Sequence, residues 1–242
     1  MDGAPNLSPR PDRAGTADAA GLRVALYYAP APSDPLWQAG CRWLGRDPQT
    51  GVPLPQPDLP DVAAITADAR GYGFHATLKP PMRLAGGWRD FLADARALAA
   101  TIAPFELPAL RVGLLGDFLA LLEQHPSRAL RAFADACVAG LDRHRAPPSA
   151  AELARRRQGD LSPERAALLQ RWGYPDVFDA WRFHMTLSRR LAPAEAALWQ
   201  PAATAYFAPA LALPRRVGEL CIFTQDGPGS PFLMTERLPL AG

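Results

Sequence analysis

The sequence predicts an α+β fold made of two related halves. Three observations carry that expectation. The stretches GFHATLKPP (73–81) and RFHMTLSRR (182–190) each alternate polar and apolar residues, the signature of a half-buried strand. Two segments, 88–103 and 127–142, place apolar residues at three- and four-residue steps, as amphipathic helices do. The pieces after each strand also come in one order, a helix and then two strands.

Taken along the chain, residues 1–20 mix Pro, Gly, Asp, Arg and Ala without periodicity and read as a disordered tail. LRVALYYAP (22–30) reads as a strand ended by prolines. SDPLWQAGCRWLG follows as a helix, with Ser33 or Asp34 as cap and Pro35 in its first turn. Residues 45–60 form a Pro-rich loop, and PDVAAITADA a short helix. The strand 73–79 is expected to stop at Pro80 and Pro81, which cannot donate to a ladder. After the helix 88–103 come strands near 106–114 and 117–123, then the helix 127–142. The polar segment 145–178 suggests two short helices, starting near Ser149 and Ser162. A strand at 181–190, a helix at 193–207 and strands near 215–224 and 231–238 complete the chain.

The two halves align. Phe74-His75-Ala76-Thr77-Leu78 matches Phe183-His184-Met185-Thr186-Leu187, LRVGLL (110–115) matches RRVGEL (215–220), and FLALLE (118–123) matches FLMTER (232–237). This reads as an internal duplication, with units at about 70–124 and 180–238 joined by the segment 145–178, all within a single domain, 21–242. A repeat of this length means two lobes rather than a solenoid.

Composition narrows the function. The 242 residues carry a formal net charge of +2, which suits an anionic ligand without demanding nucleic acid. The N-terminus lacks the layout of a signal peptide and no apolar run reaches spanning length, so no membrane partner and a cytoplasmic location are expected. Cys41, Cys137 and Cys221 are scattered, with no CxxC, and fit reduced core residues. Lys79 is the only lysine in the chain.

A lone histidine in a strand is more often packed or solvated than catalytic. Two histidines with the same neighbours are different. Duplication of a purely structural unit would keep the buried Phe and Leu, with little reason to keep His and Thr on the other face. His125, before Pro126, and His144, at a helix end, lack this context. Two facing His-x-Thr strands supply two proton-transfer groups and two hydroxyl donors. By alternation Lys79 joins the first face, and Ser188 and Arg190 the second, while Arg189 points away. Hydroxyls and cations suit the non-bridging oxygens of a phosphodiester, and one histidine activates the attacking oxygen while the other protonates the leaving one. No metal-ligand spacing appears, so no metal or other cofactor is expected.

The motifs His75-Ala76-Thr77 and His184-Met185-Thr186 resemble those of the 2H phosphoesterase (LigT-like) superfamily, which includes bacterial RNA 2′,3′-cyclic phosphodiesterases and 2′–5′ RNA ligases. YGFHATLKPP, RFHMTLSRRL and the intervening LLQRWGYPDVFD are similar to the branch encoded in phosphonate-degradation operons, the DUF1045 type. The resemblance covers most of residues 22–238. It implies a bilobal α+β fold, two lobes of antiparallel sheet with outer helices around a central cleft. It further implies His75 and His184 as catalytic groups, Thr77 and Thr186 gripping phosphate, and a small cyclic phosphate substrate such as a phosphoribosyl 1,2-cyclic phosphate.

Two other functions remain open at this point. The same site could act on RNA ends, and Arg155-Arg156-Arg157 could serve them, although that run also reads as a solvated helix face. The modest charge and lack of a basic, aromatic-interleaved stripe argue against long nucleic acid. A non-catalytic phosphate-ester binding module is the third reading, and turnover separates it from the other two.

Overall fold

A computed structural model describes residues 22–150, 152–153 and 161–242. The expected tail and the Arg155–157 run lie outside the described residues. Seven strands form one antiparallel sheet. They are β1 (Arg23–Tyr28), β2 (Ala76–Arg83), β4 (Leu110–Leu115), β5 (Phe118–Glu123), β6 (His184–Arg190), β8 (Glu219–Gln225) and β9 (Leu233–Pro239). Their order across the sheet is β4-β5-β6-β2-β1-β8-β9. A separate small pair joins β3 (Phe105–Glu106) to β7 (Arg216–Val217).

The helices are α1 (Pro35–Leu44), α2 (Val62–Ile65), α3 (Ala67–Tyr72), α4 (Trp88–Ala100), α5 (Arg128–Gly140), α6 (Pro163–Trp172) and α7 (Pro193–Leu211). Local chemistry sets several of their ends. Asp34, not Ser33, caps α1, its Oδ1 accepting from Leu36 N at 2.8 Å. Gly45 closes α1 in the left-handed region at φ 76°. Ser127 caps α5 and Ser162 caps α6. Ser149 and Glu152 exchange bonds, with Ser149 N donating to Glu152 Oε2 and Glu152 N to Ser149 Oγ, the reciprocal geometry of a capping box.

Two stretches share one element order, and they interleave in the sheet. The first runs β2-α4-β4-β5 and the second β6-α7-β8-β9. Strand β6 of the second unit takes the β4–β5 hairpin of the first as its neighbours. The β8–β9 hairpin of the second lies on the side of β2, with β1 between. The helices follow the hairpins: α7 packs on β4 and α4 on β9. Neither half of the sheet is one unit alone, as the linear duplication suggested. The match of RRVGEL to LRVGLL also slips, because Arg216–Val217 form β7 and pair with Phe105–Glu106, their counterpart in the first unit.

Strand β2 runs through Pro80 and Pro81 instead of stopping before them. Tyr27 pairs with Thr77, Leu26 with Lys79, and Val24 with Met82. Leu78 is therefore an extra residue against β1, and Ala25 spans both prolines. The prolines sit where the ladder is already irregular, so their missing N–H groups cost no regular pairing.

Candidate active site

Strands β2 and β6 meet at the centre of the sheet through the pair Ala76↔Met185. Antiparallel register then sets His75 across from Thr186, and Thr77 across from His184. Ala76 and Met185 are fully buried on the far side, while all four polar residues are half-buried on the near one. Indole groups hold the ladder carbonyls on both sides of the junction. Trp181 Nε1 donates to Thr77 O at 2.9 Å, and Trp43 Nε1 donates to Leu187 O at 2.8 Å. The first is part-buried and the second buried, and both would be costly to leave unmade. The far face is dry. Phe74 stacks on Phe207 of α7, and α1 approaches so closely at Gly40 that a Cβ there would lie 2.3 Å from the Phe74 ring.

The two imidazoles are oriented alike. His75 Nδ1 lies 2.8 Å from Gly73 O, and His184 Nδ1 lies 2.9 Å from Arg182 O. A carbonyl can only accept, so each Nδ1 carries the proton and each neutral ring presents a basic Nε2. In His75 that Nε2 lies 3.2 Å from Thr77 Oγ1, whose hydroxyl donates to it. The Tyr27 ring stacks on His75 with centroids 3.7 Å apart, and Phe118 stands edge-on to His184 at 5.8 Å. Burial pushes the His75 imidazole down to about 3; the bond to Gly73 opposes this, and the His184 charge adds to it. Burial also lowers His184, against the Arg182 carbonyl and the Asp176 charge. Both rings are neutral at pH 7 in the free protein.

Gly73 is required where it stands. Its φ of 84° and ψ of 175° belong to a region open essentially to glycine, and a Cβ would lie 2.6 Å from Pro48 Cβ. Buried Arg46 holds the same turn, donating from Nε to Arg70 O and from Nη2 to Gly71 O.

The structure thus brings His75, Thr77, His184 and Thr186 together; of the three expected substrate-binding residues it takes Lys79 off their face, while Ser188 and Arg190 lie further along β6. Lys79 does not share the His75 face. The extra residue at Leu78 shifts the alternation, so Lys79 pairs with Leu26 on the opposite side. There it is buried, with Nζ donating to Val138 O at 2.8 Å and Asp142 Oδ1 at 3.3 Å. Burial lowers its pKa, against the Asp142 charge. Ser188 is buried at the irregular join of β6 to β5, accepting from Leu119 N and donating to Arg189 O. Arg190 pairs across from Phe118, on the side of His184, and lies exposed at the end of β6 beside Asp117 at 3.2 Å. Arg189 does turn away as expected, to Glu195.

Sequence reasoning missed Tyr27, Gly73, Trp43 and Trp181. Gly73 had a signal, since a glycine two residues before a strand histidine is out of place in a strand. The second copy has Arg182 there, so the repeat did not mark it. Elsewhere, His144 lies buried against Phe91 with Nε2 on Asp94, and all three cysteines are buried and free. Among the described residues, no three His, Cys, Asp or Glu side chains gather as a metal site, and no helix is long and apolar enough to cross a membrane.

An antiparallel α+β sheet with two His-x-Thr strands meeting at its centre defines the class of this protein. The chain belongs to the family described as Protein of unknown function (DUF1045), whose model matches residues 77–233, a span that holds Thr77, His184 and Thr186 and starts just past His75. Two curated relatives are similar, both named ribose 1,5-bisphosphate phosphokinase PhnN. The one from Janthinobacterium sp. (strain Marseille) is 42% identical over 91% of this chain and 51% of its own length. The one from Laribacter hongkongensis (strain HLHK9) is 37% identical over 87% of this chain and 50% of its own. The chain thus spans about half the length of these relatives. Among solved structures, E. coli LigT in its apo form is 14% identical with a TM-score of 0.45, covering 91% of this chain and 98% of that one. A structure described as a phosphoesterase has the same identity and TM-score, covering 92% and 99%.

Proposed function

We propose that the protein is a metal-independent phosphodiesterase that opens a small cyclic phosphodiester by two-histidine acid/base catalysis. The observation carrying this reading is the matched pair of imidazoles, each fixed through Nδ1 to the carbonyl two residues back and each beside a threonine of the other strand. One Nε2 takes a proton from water as its oxygen bonds to phosphorus. The ester P–O bond breaks, and the other ring, protonated when the anion is bound, gives its proton to the departing oxygen. The Thr77 and Thr186 hydroxyls donate to the non-bridging oxygens, where charge builds. An anion between the rings raises both lowered pKa values, which is how one ring comes to hold the proton it must donate.

A phosphoribosyl 1,2-cyclic phosphate is the substrate of choice. Opening its ring at the C2 oxygen leaves the phosphate on C1 and yields ribose 1,5-bisphosphate, the compound in the name of the longer curated relatives. That makes the preceding step a reaction that releases a ribosyl 1,2-cyclic phosphate, and the following step a phosphoryl transfer to the product. The test is to supply the cyclic phosphate to EDTA-treated protein and follow ring opening by phosphorus NMR, beside an RNA 2′,3′-cyclic end. Turnover of the sugar substrate after chelation is expected. No turnover, preference for the RNA end, or activity restored only by added metal would each overturn the reading.

A further inference from the structure

Arg23 stands on the histidine face with its charge unspent. Strand β1 runs in unbroken register against β8, with Arg23 across from Gln225, Ala25 from Phe223 and Tyr27 from Cys221. Residues 23, 25 and 27 therefore point one way. Tyr27 shows which way, because its ring lies on His75. The Arg23 guanidinium sits 5.7 Å from the Phe232 ring centre, and Phe232 lies 6.4 Å from Tyr27 and is stacked on Tyr72 at 5.4 Å. Tyr72 in turn lies 6.5 Å from His75 and is 45% exposed. A pad of aromatic rings thus runs from the catalytic imidazole to a cation.

That cation lacks a carboxylate. Nη1 donates to the amide oxygen of Gln225 at 2.9 Å, and Nε is buried with no hydrogen-bond partner. Among the described residues no acidic side chain pairs with Arg23. Its neighbour across the ladder, Arg83, is by contrast ion-paired with Glu152. A half-buried guanidinium held by one neutral amide keeps donors for a charged acceptor, and its planar fork matches phosphate.

We infer that Arg23 is a specificity-determining residue that binds a second anionic group of the substrate, a phosphomonoester remote from the ester being cleaved, while the sugar lies along the Tyr72–Phe232 edge. This rests on the phosphodiesterase reading above and deepens it, assigning Arg23 to the second phosphate of the substrate named there. Remote binding of this kind raises kcat/KM without touching the reacting atoms.

The test compares ribose 1,2-cyclic phosphate with and without its 5-phosphate, on the wild type and on Arg23→Gln. The wild type should favour the 5-phosphorylated substrate by about tenfold to a hundredfold in kcat/KM, and Arg23→Gln should bring that ratio close to one. An unchanged ratio, or equal loss on both substrates, would mean that Arg23 only ties β1 to β8, and would overturn the inference. A binding arm separates this from failure of the phosphodiesterase reading. If neither substrate turns over, titration with ribose 5-phosphate still decides, since the wild type should bind it at least about tenfold more tightly than Arg23→Gln. Equal affinity there would overturn the inference as well.

Discussion

Ala76 and Met185 pair across the centre of the sheet, and their contact places each catalytic candidate beside the threonine of the other repeat. Both side chains are fully buried and small or flexible enough to let two strands approach that part on either side, where Trp181 and Trp43 take the freed carbonyls. The site is thus built across the join between the repeats.

If both imidazoles move protons, either His75→Ala or His184→Ala should cut turnover by about a hundredfold or more. Circular dichroism should show the fold intact, because neither ring fills the dry side of the sheet. Near-wild-type turnover in either variant would rule out the two-histidine mechanism.

Acid should weaken the fold through the same residues. Burial lowers both imidazole pKa values in the folded chain, His75 to about 3. Below the ordinary imidazole value of about 6.5 the unfolded chain binds protons that the folded chain refuses. The stability contribution is complete above that value and is lost as pH falls from there toward the folded values. Urea midpoints at pH 7.5 and pH 5 should therefore differ more for the wild type than for a His75→Gln/His184→Gln double variant. Equal differences would show that the rings do not resist protonation.

Lys79 should matter to stability rather than to binding. Its ammonium is buried against Val138 O and Asp142, and Asp142 also holds Arg145 and Arg171. Lys79→Met should cost about 1–3 kcal/mol in urea denaturation, less than breaking an isolated buried pair, since Asp142 keeps two cations. KM should shift by less than about threefold. A tenfold rise in KM with unchanged stability would return Lys79 to the substrate face.

Gly73→Ala combines strain with loss of alignment. The new Cβ meets Pro48, and the backbone leaves a conformation that alanine resists. A loss of about 1–3 kcal/mol is expected. Turnover should fall as well, because Gly73 O no longer fixes His75 Nδ1. Lost stability with full turnover would show that the carbonyl does not govern the ring.

The local half of this architecture was legible in the chain. Period-two alternation put His75 with Thr77 and His184 with Thr186, and three- and four-residue steps marked α4 and α5, because those patterns depend on nearest neighbours along one strand or helix. The tertiary structure decided the rest. Lys79 changed faces because β2 carries an extra residue at Leu78 relative to β1, and a bulge exists only between two strands. The repeats interleave because the β4–β5 hairpin of the first pairs with β6 of the second, while the β8–β9 hairpin reaches the side of β2 through β1. Tyr27, Trp43 and Trp181 reach the site from segments whose sequences show no shared motif with it. Alternation is written residue by residue, whereas register, strand order and the partner of a buried charge are fixed by contacts between residues far apart in the chain.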